Sequence, residues 1–218
     1  MRPSDPGYWL ARSAWSGTMV FLALTGLALL IGLPNTQLLG SEMPFNNQFQ
    51  LLFPGVFLVL YAILTMNLGQ LEAGWGESSA DQLSGYQGQL LSKQGLAFGL
   101  ALPYWLIYRS TNYLPWPDTL MLMAQLFAWG YMTGLSGFAL ALGQRSEIIQ
   151  FNLKYLTFIG FLVGSLHPAI SLANPFVSAS LLLNHEAHTF SAWVGFLIWL
   201  ALAGVLSVWI YRRLERLR

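Results

Sequence analysis

"GESSADQLSGYQGQLLSK", residues 76–93, lies between two long apolar segments and ends on Lys93, one of two lysines in the chain. Its reading decides the fold. Once this polar insert is assigned to one side of a membrane, the direction of every neighbouring segment follows. Ser78 and Ser79 are candidates to cap a helix, and Asp81 follows Ser78 at capping-box spacing with Asp in place of Glu. Leu83, Leu90 and Leu91 are spaced to share one apolar face. Gly85 and Gly88 interrupt that face and would divide the insert into two short helical pieces. A short amphipathic helix here would be a docking element; the plain alternative is a solvated connector.

The 218 residues are 55% hydrophobic and only 9% charged, with mean hydropathy +0.52. Soluble domains carry about 25% charged residues, so this surface must face lipid. A net charge of +1 supplies no basic field for nucleic acid. With no cysteine, disulfides and thiolate metal sites are excluded. Trp15–Leu33 is long enough to span and no small-residue cleavage site follows it, so it reads as a span and not a leader.

Six segments suit a hydrocarbon core about 30 Å thick: 15–33, 49–68, 95–108, 120–142, 151–166 and 190–211. The expected fold is therefore an all-α membrane protein with six transmembrane helices in a single domain, 1–218. Nothing shows the alternation of a β-barrel. With six spans, Arg2, Arg12, Lys93, Arg145, Lys154, Arg212, Arg213, Arg216 and Arg218 share the side of both termini, against Arg109 alone opposite. Nine against one places the termini and residues 71–94 in the cytoplasm. Trp9, Trp15, Tyr104, Trp105, Tyr108, Trp116, Trp209 and Tyr211 fall near the expected interfaces as an aromatic belt. Residues 1–14 are either a short interfacial helix or an untidy start to the first span.

"ESSADQL", then Leu90, Leu91, Ser92 and Lys93 before an apolar span, resembles the first cytoplasmic loop of type-2 ABC exporter membrane subunits. Asp81, Gln82 and Leu83 stand where that family has Glu-Gln-Leu. The resemblance implies a short cytoplasmic coupling helix seated on a separate ABC ATPase subunit, with Ser78, Asp81, Gln82, Leu83, Leu90, Leu91 and Lys93 as the contacts. It also implies a second membrane subunit, identical or related, a bacterial inner-membrane location and an amphipathic or lipid-like cargo. The segment 167–189, with "LHPAISLANPF" at its start, resembles the family's outer segment of short re-entrant helices; Pro168 and Pro175 would end helices there. The loop is about one turn shorter than the family's and lacks its proline. By length the chain is also similar to the small membrane subunit of the haem-exporter system, whose loop is proline-rich; none lies between Pro54 and Pro103 here. No phosphate-cradling G-x-x-x-x-G-K-[ST] occurs, so the chain is not itself the ATPase; the resemblance then implies no cofactor in this chain, with ATP and Mg on the partner.

The rival chemistry is "NHEAH", residues 184–188. His185, Glu186 and His188 could ligate a metal, with His167 on the same outer face. The spacing is H-E-x-H, which is permissive and not a zinc-protease motif, and ordinary interfacial histidines are the plainer reading. A metal-handling protein and a non-transporting scaffold subunit therefore stand beside the exporter. Within the spans charged residues are nearly absent, which argues against a proton-coupled transporter. Asn67 and Gln125 would face other helices as packing contacts, or, for Asn67 with His167, border a substrate path. Gly130 and Gly134 form G-x-x-x-G, a close-packing motif suited to the bundle interior or a dimer seam.

Overall fold

The computed structural model describes residues 6–32, 51–73, 83–143, 146–164, 173–183 and 189–216. Seven helices account for nearly all of them: α1 (Pro6–Gly32), α2 (Leu52–Ala73), α3 (Leu83–Thr111), α4 (Trp116–Gly143), α5 (Glu147–Gly164), α6 (Pro175–Leu183) and α7 (Thr189–Arg216). The protein is all-helical across these residues.

Four helices are long and apolar enough to cross a membrane, covering Ala14–Gly32, Leu52–Ala73, Trp116–Gly143 and Ala192–Arg216. The expectation was six. α3 has the length, about 43 Å at 1.5 Å per residue over its 29 residues. Its polar first turns, Lys93, Gln94, Pro103 and Arg109 dilute its apolar content. α5 is 18 residues long and carries Glu147 and Lys154.

Paired contacts give the helix directions. Tyr61, Thr65 and Gly69 of α2 meet Gly130, Thr133 and Gly134 of α4 in that order, so α2 and α4 run parallel. α3 runs against both. Along α2, Glu72 meets Lys93 and Phe53 meets Trp105 and Tyr108. Along α4, Tyr86 packs on Phe138 and Arg109 stacks 3.9 Å over Trp116. α7 follows α4 in direction: Trp199 packs on Trp129, and Leu206 and Trp209 lie beside Gly143. α1 opposes α2, with Phe21 against Phe57 and Tyr61.

The core lies along α2 and α4, each 61% buried over its apolar window, against 28% for α1 and 22% for α7. One half of it is aromatic. Phe53, Phe57, Tyr61, Phe98, Trp105 and Tyr108 form a continuous chain of edge and tilted ring contacts. Trp105 and Tyr108 are therefore core residues and not belt residues, because the face of α3 that carries them turns toward α2. Trp15, Trp116, Trp209 and Tyr211 are exposed, as a belt requires.

Three local readings change. Residues 83–93 are not a separate helix: α3 passes through Gly85 and Gly88 unbroken, and neither glycine has a neighbour that would demand its small size. The residues after Pro6 continue into α1 as one helix. Pro175 starts a helix where it was expected to end one. Asn174 Oδ1 accepts the Phe176 N–H at 3.0 Å, so Asn174 caps α6 and Pro175 occupies its first position.

The turn from α3 to α4 is short and defined. Leu114 N–H donates to Arg109 C=O at 3.1 Å, the long-range bond of a Schellman stop. Tyr113 sits between them at φ 53°, where glycine is usual. Leu114 is buried behind it and Pro115 prevents continuation.

Candidate functional site

The inner end of α2, the end that continues toward residues 74–82, carries two contacts from lysines of neighbouring helices. Glu72 is 4% exposed and forms an ion pair with Lys93 of α3. One turn and a half earlier, Asn67 Oδ1 accepts a hydrogen bond from Lys154 Nζ of α5 at 2.6 Å. The ammonium of Lys154 also lies 5.2 Å from the Tyr155 ring centre and 5.9 Å from that of Phe151. Both lysines of the chain thus close on one helix, from opposite neighbours.

At the same level α2 and α4 meet backbone to backbone. A Cβ on Gly69 would collide with the Gly134 carbonyl oxygen, and one on Gly137 with that of Met66. The Cα–H bonds standing in the Cβ direction point at those oxygens, the weak C–H···O geometry of close helix pairs. Gly130 leaves room for the Tyr61 ring. The Thr65 and Thr133 hydroxyls bridge the same seam at 2.7 Å. The glycines of α4 therefore serve packing within the chain. Gly69, their counterpart on α2, went unread because it stands alone, with no partner glycine at motif spacing.

The sequence-predicted coupling residues separate. Leu90 is fully buried, packed over Gly134, and does not face outward. Leu91 is exposed at 37% beside exposed Gln89 and Ser92. Lys93 serves the ion pair. Ser78, Asp81, Gln82 and the side chain of Leu83 lie outside the described residues. So do His167, His185, Glu186 and His188, and with them the metal reading. Asn67, a candidate for a substrate path, is engaged by Lys154.

Gln94 lay outside every expected span yet is buried, donating through Nε2 to Phe127 C=O at 2.8 Å. Only its position four residues after Leu90 on a continuous α3 shows that it faces inward. At the other end of the bundle two donors converge on one acceptor. Gln125 Nε2 at 3.2 Å and Trp199 Nε1 at 2.6 Å both donate to Ala173 C=O, pinning the start of α6 between α4 and α7. Gln125 thus ties a helix to a turn, where a contact to another helix was expected.

Comparison of the chain with protein-family models, curated proteins and solved structures finds no match.

Proposed function

We propose that the chain is the membrane subunit of an ATP-driven exporter of the type-2 ABC kind, with residues 74–93 as the element on which a separate ATPase subunit pushes. The single observation that carries this reading is the Glu72–Lys93 ion pair. It joins the two ends of the elbow to each other, so that a load on the elbow reaches α2 as well as α3. From α2 it passes through the glycine seam to α4 without an intervening compliant side chain. A partner at the inner face would thus move α2, α3 and α4 as one body, and α1 and α7, far less buried, would be the elements they move against.

Six crossings would suit the same reading, and the helix directions are compatible with them. α2, α4 and α7 run parallel, so each interval between them must return the chain across the bundle. In this reading α3 would make one return, and the chain between Lys154, beside the inner end of α2, and Ala173, beside Gln125 and Trp199, would make the other. α1 opposes α2 and completes six, with α6 in an outer segment that would re-enter the membrane. Both termini and the elbow are cytoplasmic in this arrangement, and two such subunits would pair around a path for an amphipathic cargo.

The absence of cysteine makes the test direct. Ser79→Cys should react with an impermeant maleimide only from the cytoplasmic side, and Ser110→Cys, exposed near the end of α3, only from outside. Tagged chain purified from native membranes should carry a nucleotide-hydrolysing subunit, which deletion of residues 78–90 releases. Labelling of both cysteines from one side, or an intact complex that hydrolyses no nucleotide, overturns the proposal; the latter would leave a scaffold subunit.

A further inference from the structure

A cleft of about 570 Å³ opens on the flank of the bundle between α4, α5 and α7. It lies toward the inner end, lined chiefly by Leu140 of α4, Leu153 of α5, and Leu202, Val205, Leu206 and Trp209 of α7. Its volume falls in the range of about 300–1,000 Å³ typical of small-molecule sites. The cleft is open to the side, and Val205 and Trp209 are among the exposed apolar residues of α7. In a membrane it therefore opens to the acyl chains.

The polarity of its surroundings changes at one end. Leu202, Val205, Leu206 and Trp209 occupy one face of α7 at spacings of three and four. The same face continues to Arg212 and Arg213, seven residues beyond Val205 and Leu206, and both are exposed. The adjoining face, Trp199, Ala203, Ile210 and Leu214, is buried. An apolar trough thus ends at an indole and then, one turn later, at two guanidinium groups. Indoles favour the headgroup level, and guanidinium pairs phosphate oxygens in a bidentate fork. The other cation at this end of α5, Lys154, is turned away toward Asn67.

We propose that this cleft binds an anionic phospholipid of the inner leaflet, with an acyl chain along Leu202–Trp209 and the phosphate on Arg212 and Arg213. The occupant is fixed by charge complementarity: an apolar partner helix would fill the trough but leave the two cations beyond it unanswered. The site is lined by α4, α5 and α7 and by no residue of α1 or α3, and its occupancy does not depend on the exporter reading.

The test is native mass spectrometry of the full chain, extracted in mild detergent after incubation with phosphatidylglycerol or with phosphatidylcholine of the same acyl chains. The wild type should retain phosphatidylglycerol preferentially. Arg212→Gln and Arg213→Gln should each reduce that preference by about fivefold, and raised salt should do the same. Val205→Trp, at a side chain 69% exposed and so tolerated by the fold, should fill the trough and abolish retention of the anionic lipid. Equal retention of both lipids by the wild type would overturn the proposal, as would preference unchanged in the double arginine variant. A dimer that Val205→Trp converts to monomer would also overturn it, giving the cleft to a second copy of the chain.

Discussion

The seam between α2 and α4 and the two lysine contacts on α2 hold the same helix by opposite means. At the seam, backbone meets backbone at Gly69 and Gly137, and no side chain can move aside to absorb a change. At the inner end, Lys93 and Lys154 reach α2 through long, rotatable chains that can find water or another partner if displaced. The first contact admits no adjustment; the second ties α3 and α5 to α2 through side chains.

The largest effect should come from breaking the seam. Gly137→Val puts branched carbons into the Met66 backbone, and neither helix can repack around that without separating. We expect a loss of at least about 3 kcal/mol, beyond ordinary overpacking, read as a lowered midpoint in denaturant titration of the detergent-solubilised protein. Gly130→Ala should cost less, since it adds a single carbon and meets the Tyr61 side chain and not backbone. Equal midpoints for Gly137→Val and the wild type would show that the two backbones do not touch.

The lysine contact should break asymmetrically. Glu72 is nearly buried, whereas the Lys93 side chain keeps 40% of its surface exposed. Lys93→Ala strands a carboxylate without its cation and should cost about 2–3 kcal/mol. Glu72→Gln leaves an ammonium that can reach water and should cost about 1 kcal/mol or less. The double change Glu72→Gln with Lys93→Gln should be milder than Lys93→Ala alone. Equal costs for the two single changes would mean that the carboxylate is hydrated, and the contrast with the seam would weaken accordingly.

The parts of this arrangement legible in the sequence are those written in local pattern. Apolar length marked the helices, and the spacing of Gly130 and Gly134 marked a close-packed face. What pattern does not carry is which face of a helix meets which neighbour. Trp105 and Tyr108 read as interface anchors because an aromatic near a span end looks the same from either side. Lys93 read as a docking contact for the same reason: its partner, Glu72, is twenty-one residues away and only the antiparallel turn of α2 and α3 brings them together. Gly85 and Gly88 read as breaks because a glycine costs about 1 kcal/mol in an isolated helix. Two such costs are small beside the packing of Tyr86 on Phe138 and of Leu90 on α4. The start of α6 was legible in its residues, Asn174 before Pro175, but a proline that ends one helix and one that opens the next look alike until the cap's acceptor is seen.

The smallest effect sharpens the comparison from within the seam, which contains one polar contact. Thr65 and Thr133 hydroxyls lie 2.7 Å apart, yet each also reaches a carbonyl of its own helix, Tyr61 C=O and Gly130 C=O, both at 2.9 Å. Each hydroxyl has one proton. If one donates across the seam, the other donates back along its own helix. Thr133→Val therefore leaves Thr65 free to turn its proton to Tyr61, and no buried donor is stranded. A double-mutant cycle on Thr65→Val and Thr133→Val should give a coupling near 0.6 kcal/mol, the usual scale for hydrogen bonds between membrane helices. A coupling several times larger would mean that the hydroxyl pair, and not the glycine backbone contact, holds α2 to α4. Gly137→Val would then owe its effect to pulling the two threonines apart, a reading the cycle can check by repeating it in the Gly130→Ala background.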